Sequence, residues 1–367
     1  MIPYIKGPIA KQAHVAIPES LYEEEYGRRG FFGRYAHLYR QHPPVSWTRI
    51  EGNLKPRCYS TKNRWGEQLD YPRERFTYLH NDDLKVQVVG IDRQPDYFFR
   101  NADSDEVYFI HQGSGDFYCD FGRLTYSTGD YIVIPRGTVY QFVPKNPTKF
   151  LIIESRGEIT LPEKGLLGQH ALFDPAMIKV PDPEAMPKFP AQDEYRLTIK
   201  RCGEYTHVYY PHCPLDIVGW KGTLSVWQIN VADIRPISCE RYHLPPSAHT
   251  TFVSTNFVIC TFLPRGLETE DPLAVKVPFY HSNIDYDEVI FYHAGEFFSR
   301  SDVELGMLTF HPQGIHHGPQ KSAVARSKDA RRTNEIAVMI DARQPLHFTG
   351  EADSAEFKEY WKSWQKP

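Results

Sequence analysis

Along this chain, short runs of β-branched and aromatic residues alternate with polar ones. Each run is bounded by Gly, Pro, Asn or Asp. Examples are VYFI at 107–110, DYIVIP at 130–135, FLIIES at 150–155, FVICTFL at 257–263 and EIAVMID at 335–341. Such runs are the length of strands, and β-branched and aromatic side chains fit a pleated surface. The 29 Pro and 24 Gly supply the many turns this requires. Only the C-terminus reads as helix: SAEFKEYWKSW at 354–364 places Phe357, Trp361 and Trp364 at helical spacing. That face is expected to pack on a barrel rather than do chemistry.

Two phrases recur. NADSDEVYFIHQG at 101–113 returns as NIDYDEVIFYHAG at 283–295, and GDYIVIPRGTVY at 129–140 returns as GMLTFHPQGIHH at 306–317. The same order at nearly the same offset predicts two homologous domains. Strand patterning with a P-x-G turn in each copy predicts an all-β chain of two double-sheet jelly rolls with a short C-terminal helix. The expected boundaries are an N-terminal barrel over 1–160, a linker rich in Pro and charge over 161–200, and a C-terminal barrel over 201–367.

The copies differ where chemistry would lie. In the second, His281 precedes the first phrase, Glu288 sits within it and His317 closes the second phrase. Two neutral imidazoles and one carboxylate on one face of a metal leave its other positions open, the arrangement of non-haem Fe(II) oxygenases. In the first copy Phe99 and Tyr140 take the histidine positions and only Glu106 remains, so that barrel is expected to be metal-free. His316 and His293 fall on the wrong strand parity and are not expected to be ligands.

Composition narrows the partners. A net charge of −4 gives no electrostatic case for nucleic acid or an anionic membrane surface. No apolar run reaches the ~18 residues of a membrane span. The six cysteines include no CxxC pair and the N-terminus does not read as a signal peptide, so a reduced, cytoplasmic protein is expected.

The spacing G-x5-P-x-G-x2-H, preceded by H and E-x6-G, resembles the paired cupin motifs, which makes the chain similar to a bicupin. PFYHSN at 278–283, Glu288 with Gly295, and HHGPQ at 316–320 more narrowly resemble the iron site of the homogentisate 1,2-dioxygenase family. YHLPPS at 242–247, FLPRG at 262–266 and, less closely, EIAVMIDARQPLHFT at 335–349 follow the same family in order. The resemblance covers most of the C-terminal half and little of the rest. It implies Fe(II) held by His281, Glu288 and His317, and O2-dependent opening of homogentisate to maleylacetoacetate in tyrosine and phenylalanine breakdown. It implies an acid/base role for His243, with His249 a competitor for it, and a place for His311 lining the site. It also implies a homo-oligomer, a trimer or hexamer. Ser282 stands where the family commonly has Arg, and Phe297 where it often has Tyr, which leaves a related hydroquinone or gentisate-like acid open as substrate. The cupin framework alone also serves Zn or Mn isomerases and decarboxylases, and non-catalytic storage or sensor proteins.

Overall fold

The computed structural model describes residues 5–365 apart from 67–69, 164–166, 169, 242, 277–278, 298 and 301. Tyr242 and Pro278 of the motifs above, and part of the expected linker, therefore lie outside the described residues. The chain is all-β, with two cupin-type barrels packed side by side.

The first barrel is a sandwich of a seven-stranded and a six-stranded sheet. At the centre of the seven-stranded sheet, strand Asp105–Gln112 lies between Asp130–Ile134 and Thr148–Ser155. In the second barrel, strand Asp287–Glu296 lies between Leu308–His311 and Asn334–Ala342 in a six-stranded sheet. Strand Tyr280–Asn283 belongs to a separate three-stranded sheet.

Period-two alternation assigns each face of the repeated strand. Tyr108 and Ile110 point into the first barrel and join a core with Phe117, Phe142 and Phe150. Val107 and Phe109 point outward, and so do their counterparts Val289 and Phe291. These four meet in one apolar layer between the barrels, shared with Tyr131, Phe252, Ile259 and Ile340. Fully burying one such side chain stabilises by about 1.5–3 kcal/mol, so this layer fixes the two barrels together.

The repeated strand carries a β-bulge in both copies, at His111 and at His293, where the ladder register shifts by one residue. The two bulged histidines meet, with Nδ1 atoms 2.9 Å apart. Phe109 packs on His293 and Phe291 on His111, at centroid distances of 4.8 and 5.0 Å. The glycine closing each phrase has positive φ, 105° at Gly113 and 83° at Gly295. A Cβ on Gly295 would stand 1.7 Å from the Asn334 carbonyl oxygen, which excludes any side chain there.

The sheets do not respect the boundaries expected from sequence. Strand Tyr195–Arg201 pairs in parallel with Phe98–Asn101, and Trp227–Asn230 pairs with Asp130–Ile134, so the first barrel extends to about residue 230. Conversely, Tyr22–Gly27 pairs with Tyr280–Asn283 and Arg57–Tyr59 with Leu308–His311, placing the N-terminal segment on the second barrel. Hydrophobic periodicity reports which face of a strand is buried and not which distant strand it joins, so such exchanges leave no local mark.

The C-terminal helical segment is shorter and divided. A helix spans Gly350–Ala355 and a 3-10 turn spans Tyr360–Gln365. Glu356 between them is extended, bridges to Tyr59 and pairs through its carboxylate with Arg57. This break leaves Phe357 48% exposed, whereas Tyr360 and Trp364 are buried. One further short helix, Lys321–Ser327, was not expected. Among the described residues no helix is long and apolar enough to cross a membrane.

Candidate metal centre

His281 and His317 are cross-strand neighbours, each donating its backbone N–H to the other's carbonyl at 3.0 and 3.1 Å. Their rings lie 4.0 Å apart between centroids. Glu288 comes from the adjacent strand, with Oε2 3.6 Å from His317 Nε2. One ligand atom from each of the three falls within 4.8 Å of the others, and all three residues are buried. His281 Nδ1 lies 3.0 Å from the Phe279 carbonyl, which fixes that nitrogen as the N–H donor and leaves Nε2 with a free lone pair. Neither ring nitrogen of His317 has a hydrogen bond among the described residues. A buried imidazole without a partner is costly, and a divalent ion held between these groups would supply the missing partner.

Electrostatics prepare the same three groups. Burial, then His317, pushes His281 down to about 3. Burial also lowers His317, against the attraction of Glu288. Burial works to raise Glu288, but His317 and His311 overcome it and hold the carboxyl well below its usual range. Two neutral imidazoles and one carboxylate are the protonation states that ligation requires.

A cleft opens onto this group. It is lined by His243, His249, Phe262 and Phe279, together with Arg265 and Arg300. His243 Nδ1 lies 2.9 Å from Glu268 Oε1, a buried histidine–carboxylate pair. Burial nevertheless keeps the His243 imidazole below its usual range and so neutral. Among the described residues His249 has no such carboxylate, and its Nδ1 is buried without a hydrogen bond.

His311, expected to line the site, lies behind it. It is fully buried, with Nδ1 2.6 Å from Glu288 Oε1 and its ring stacked on His317. Its place is to hold one Glu288 oxygen so that the other faces His317. His316 points away, to Glu24 at 2.8 Å, and His293 lies in the layer between the barrels. Ser282 is buried, and Phe297 packs on Tyr292 at 4.7 Å.

Sequence reasoning missed Glu268, Arg265 and Arg300. Arg265 and Glu268 lie in and just after the FLPRG stretch, which was quoted without weighing their charges. Arg300 had no signal: it is buried on the loop after Glu296 and donates to the Gly318 carbonyl, beside His317.

The family model described as homogentisate 1,2-dioxygenase N-terminal matches residues 79–231. That range follows the first barrel as its sheets define it rather than the expected boundary at 160. A Saccharolobus solfataricus protein whose name assigns it provisionally to the dioxygenases is 33% identical, over 98% of both chains. Homogentisate 1,2-dioxygenases of Bradyrhizobium diazoefficiens and Sinorhizobium fredii are each 25% identical, over 83% and 71% of this chain. The chain spans 74% and 60% of their respective lengths. Among solved structures, a cupin-2 conserved barrel protein from Leptotrichia buccalis aligns over 80% of this chain and 99% of its own, with 11% identity and a TM-score of 0.38. Site, sequence relatives and family model converge, and the chain belongs to the homogentisate 1,2-dioxygenase family.

Proposed function

We propose that this protein is a cytoplasmic Fe(II)-dependent dioxygenase that opens the ring of homogentisate, or a close hydroquinone acid, to maleylacetoacetate or its analogue. Both atoms of O2 enter the product. The observation that carries the reading is the buried His281, Glu288, His317 group facing a cleft with its own base and its own cations. Iron(II) held there would supply open coordination positions and the electron that O2 needs.

The chain's own residues account for the rest. Glu268 holds the His243 Nδ1–H, which turns the Nε2 lone pair toward the cleft as the base for a phenolic proton. This favours His243 over His249. Arg265, 4.0 Å from Glu335, and Arg300 bring positive charge to a cleft whose other lining includes Leu244, Phe262, Phe279 and Ile290, and so favour a substrate that pairs a ring with a carboxylate. Phe262 and Phe279 offer stacking faces for the ring and exclude water. The assembly, by analogy with the family, is a trimer or hexamer, which light scattering on the purified chain would size.

The test is anaerobic loading with Fe(II), followed by O2 consumption across homogentisate, gentisate, hydroquinone and catechol. Stoichiometric iron and homogentisate-dependent uptake are expected. Retention of zinc or manganese with no O2 uptake would replace the reading with an isomerase or decarboxylase.

A further inference from the structure

A second histidine–carboxylate group lies on the N-terminal segment, apart from the three residues above. One ligand atom each from His14, Glu23 and His37 falls within 4.8 Å of the others. His14 and Glu23 are buried, and the side chains of Glu25 and His37 are 14% and 15% exposed. Glu23 and Glu25 alternate on strand Tyr22–Gly27 and so share a face, while His37 comes from the partner strand Tyr35–Arg40 in register with Glu25. His14 reaches over from the preceding loop, which is itself tied to the second barrel by the Val275 N–H donating to the His14 carbonyl at 2.9 Å.

His14 Nδ1 lies 2.8 Å from Glu23 Oε1, a hydrogen-bonded pair, whereas the contacts of Glu25 fit coordination better than hydrogen bonding. Glu25 Oε2 stands 3.5 Å from His14 Nε2 and 3.5 Å from His37 Nε2. Charge-assisted hydrogen bonds run about 2.7–2.9 Å, so both contacts are too long. Two ligands each about 2.0–2.1 Å from a tetrahedral ion stand roughly 3.4 Å apart. His37 Nε2 is buried without a hydrogen bond among the described residues. Glu23 already accepts from the His14 backbone N–H at 2.8 Å and from the Tyr39 hydroxyl at 2.6 Å, which fixes its carboxylate in place as an outer-shell partner would.

We propose that His14, Glu25 and His37, with Glu23 holding the His14 Nδ1–H, form a second metal site for a divalent cation of the zinc type. The donor set of two imidazoles and one carboxylate, with a further position for water, suits a borderline acid in four-coordinate geometry. The ion would tie the N-terminal loop to the sheet that carries His281. Glu25 is in register with His281 across the parallel pair Tyr22–Gly27 and Tyr280–Asn283. His14 also stacks on Phe279, whose carbonyl orients His281, at 3.9 Å and 9°. The second site stands independently of the iron reading, since it uses none of the iron ligands.

The test strips the full-length chain with a chelator, reloads it with Zn(II) alone, desalts it and counts metal by emission spectroscopy. A His281→Ala/His317→Ala variant isolates the second site and is expected to retain one zinc per chain. Adding Glu25→Gln and His37→Gln should reduce that to none while the melt stays cooperative. X-ray absorption at the zinc edge of the first variant should report two imidazoles and oxygen neighbours. A folded His281→Ala/His317→Ala chain that holds no zinc overturns the proposal. Should that variant unfold, wild type decides. Two zinc ions falling to one on Glu25→Gln/His37→Gln supports the site, and an unchanged count removes it. Failure of the iron reading would instead appear as loss of O2 uptake with this count intact.

Discussion

The two barrels place the same carboxylate against different partners. Glu288 faces His281, His317 and His311; Glu106 occupies the equivalent place in the first barrel. There Phe99 and Tyr140 form the cross-strand pair that His281 and His317 form in the second. Arg75 lies 2.6 Å from Glu106 Oε1, and the Tyr140 hydroxyl donates to Oε2 at 2.8 Å. Arg75 also donates to Tyr140 at 3.1 Å. Thus a guanidinium attached to the chain takes the place that a dissociable ion would take. The next strand repeats the contrast. Glu154 neighbours Glu106 and is paired with Lys200, whereas Asp341 neighbours Glu288 and is pushed well up by burial and by Glu288 itself. One fold satisfies a buried carboxylate permanently in one copy and leaves it available in the other.

The same substitution in each copy tests that contrast most severely. Glu288→Gln should abolish iron retention and O2 uptake, measured by emission spectroscopy and an oxygen electrode, with a cooperative melt preserved. Glu106→Gln should keep the iron but leave buried Arg75 with only the more distant Glu154, at 3.9 Å, costing up to roughly 3–5 kcal/mol in urea unfolding. Equal metal loss in both variants would mean the barrels do not divide these roles. Replacing both partners, as Arg75→Met with Glu106→Leu, should recover most of the lost stability, because the cost lies in the orphaned charge rather than in the missing pair.

A smaller effect is expected within the second barrel. His243→Ala should hold iron at wild-type stoichiometry while kcat drops by about 10²–10⁴, the usual contribution of a positioned base. Loss of iron in that variant would assign His243 to the metal instead. Glu268→Gln should lower kcat less and shift its pH profile, since it acts through the orientation of His243.

The layer between the barrels gives the mildest prediction. Burial, then His293 and Lys149, pushes His111 down to about 3, and burial pushes His293 down to about 4. Unfolded, both protonate near 6.5. Between those values the unfolded chain binds more protons, so stability should fall as pH drops from about 6.5 toward 4. Each histidine contributes a slope of about 1.4 kcal/mol per pH unit. His111→Asn should flatten the curve by about one proton in urea melts at pH 7, 6 and 5; an unchanged slope would show that other groups set it.

How much of this was legible in the sequence depended on how local each signal was. His281, Glu288 and His317 were found because two phrases repeat and only one carries the histidines. Strand parity also separated His293 and His316 from the cleft face. What the sequence hid is what crosses the molecule. Arg75 enters the first barrel from outside the repeated phrases, Phe31 packs on His281 at 5.3 Å, and Trp364 donates to the Gly318 carbonyl from the far C-terminus. Such partners obey no period, because they are selected by the shape of a finished cavity. His311 was misplaced for a related reason. Its position in the motif was read correctly, but its 2.6 Å contact with Glu288 turns it away from the cleft.

The meeting of His111 with His293 has a bearing on descent. In a dimer of identical subunits about a two-fold axis, a residue on the axis touches its own copy, and each off-axis contact occurs twice. Here one histidine touches its repeat equivalent, and the Phe109–His293 contact is matched by Phe291–His111. That is the contact pattern of a symmetric homodimer, preserved inside a single polypeptide. Because the halves are one polypeptide, a change on one side need not appear on the other. The seam can therefore be symmetric while the interiors differ, one closed by a fixed internal cation and the other holding a buried carboxylate among histidines.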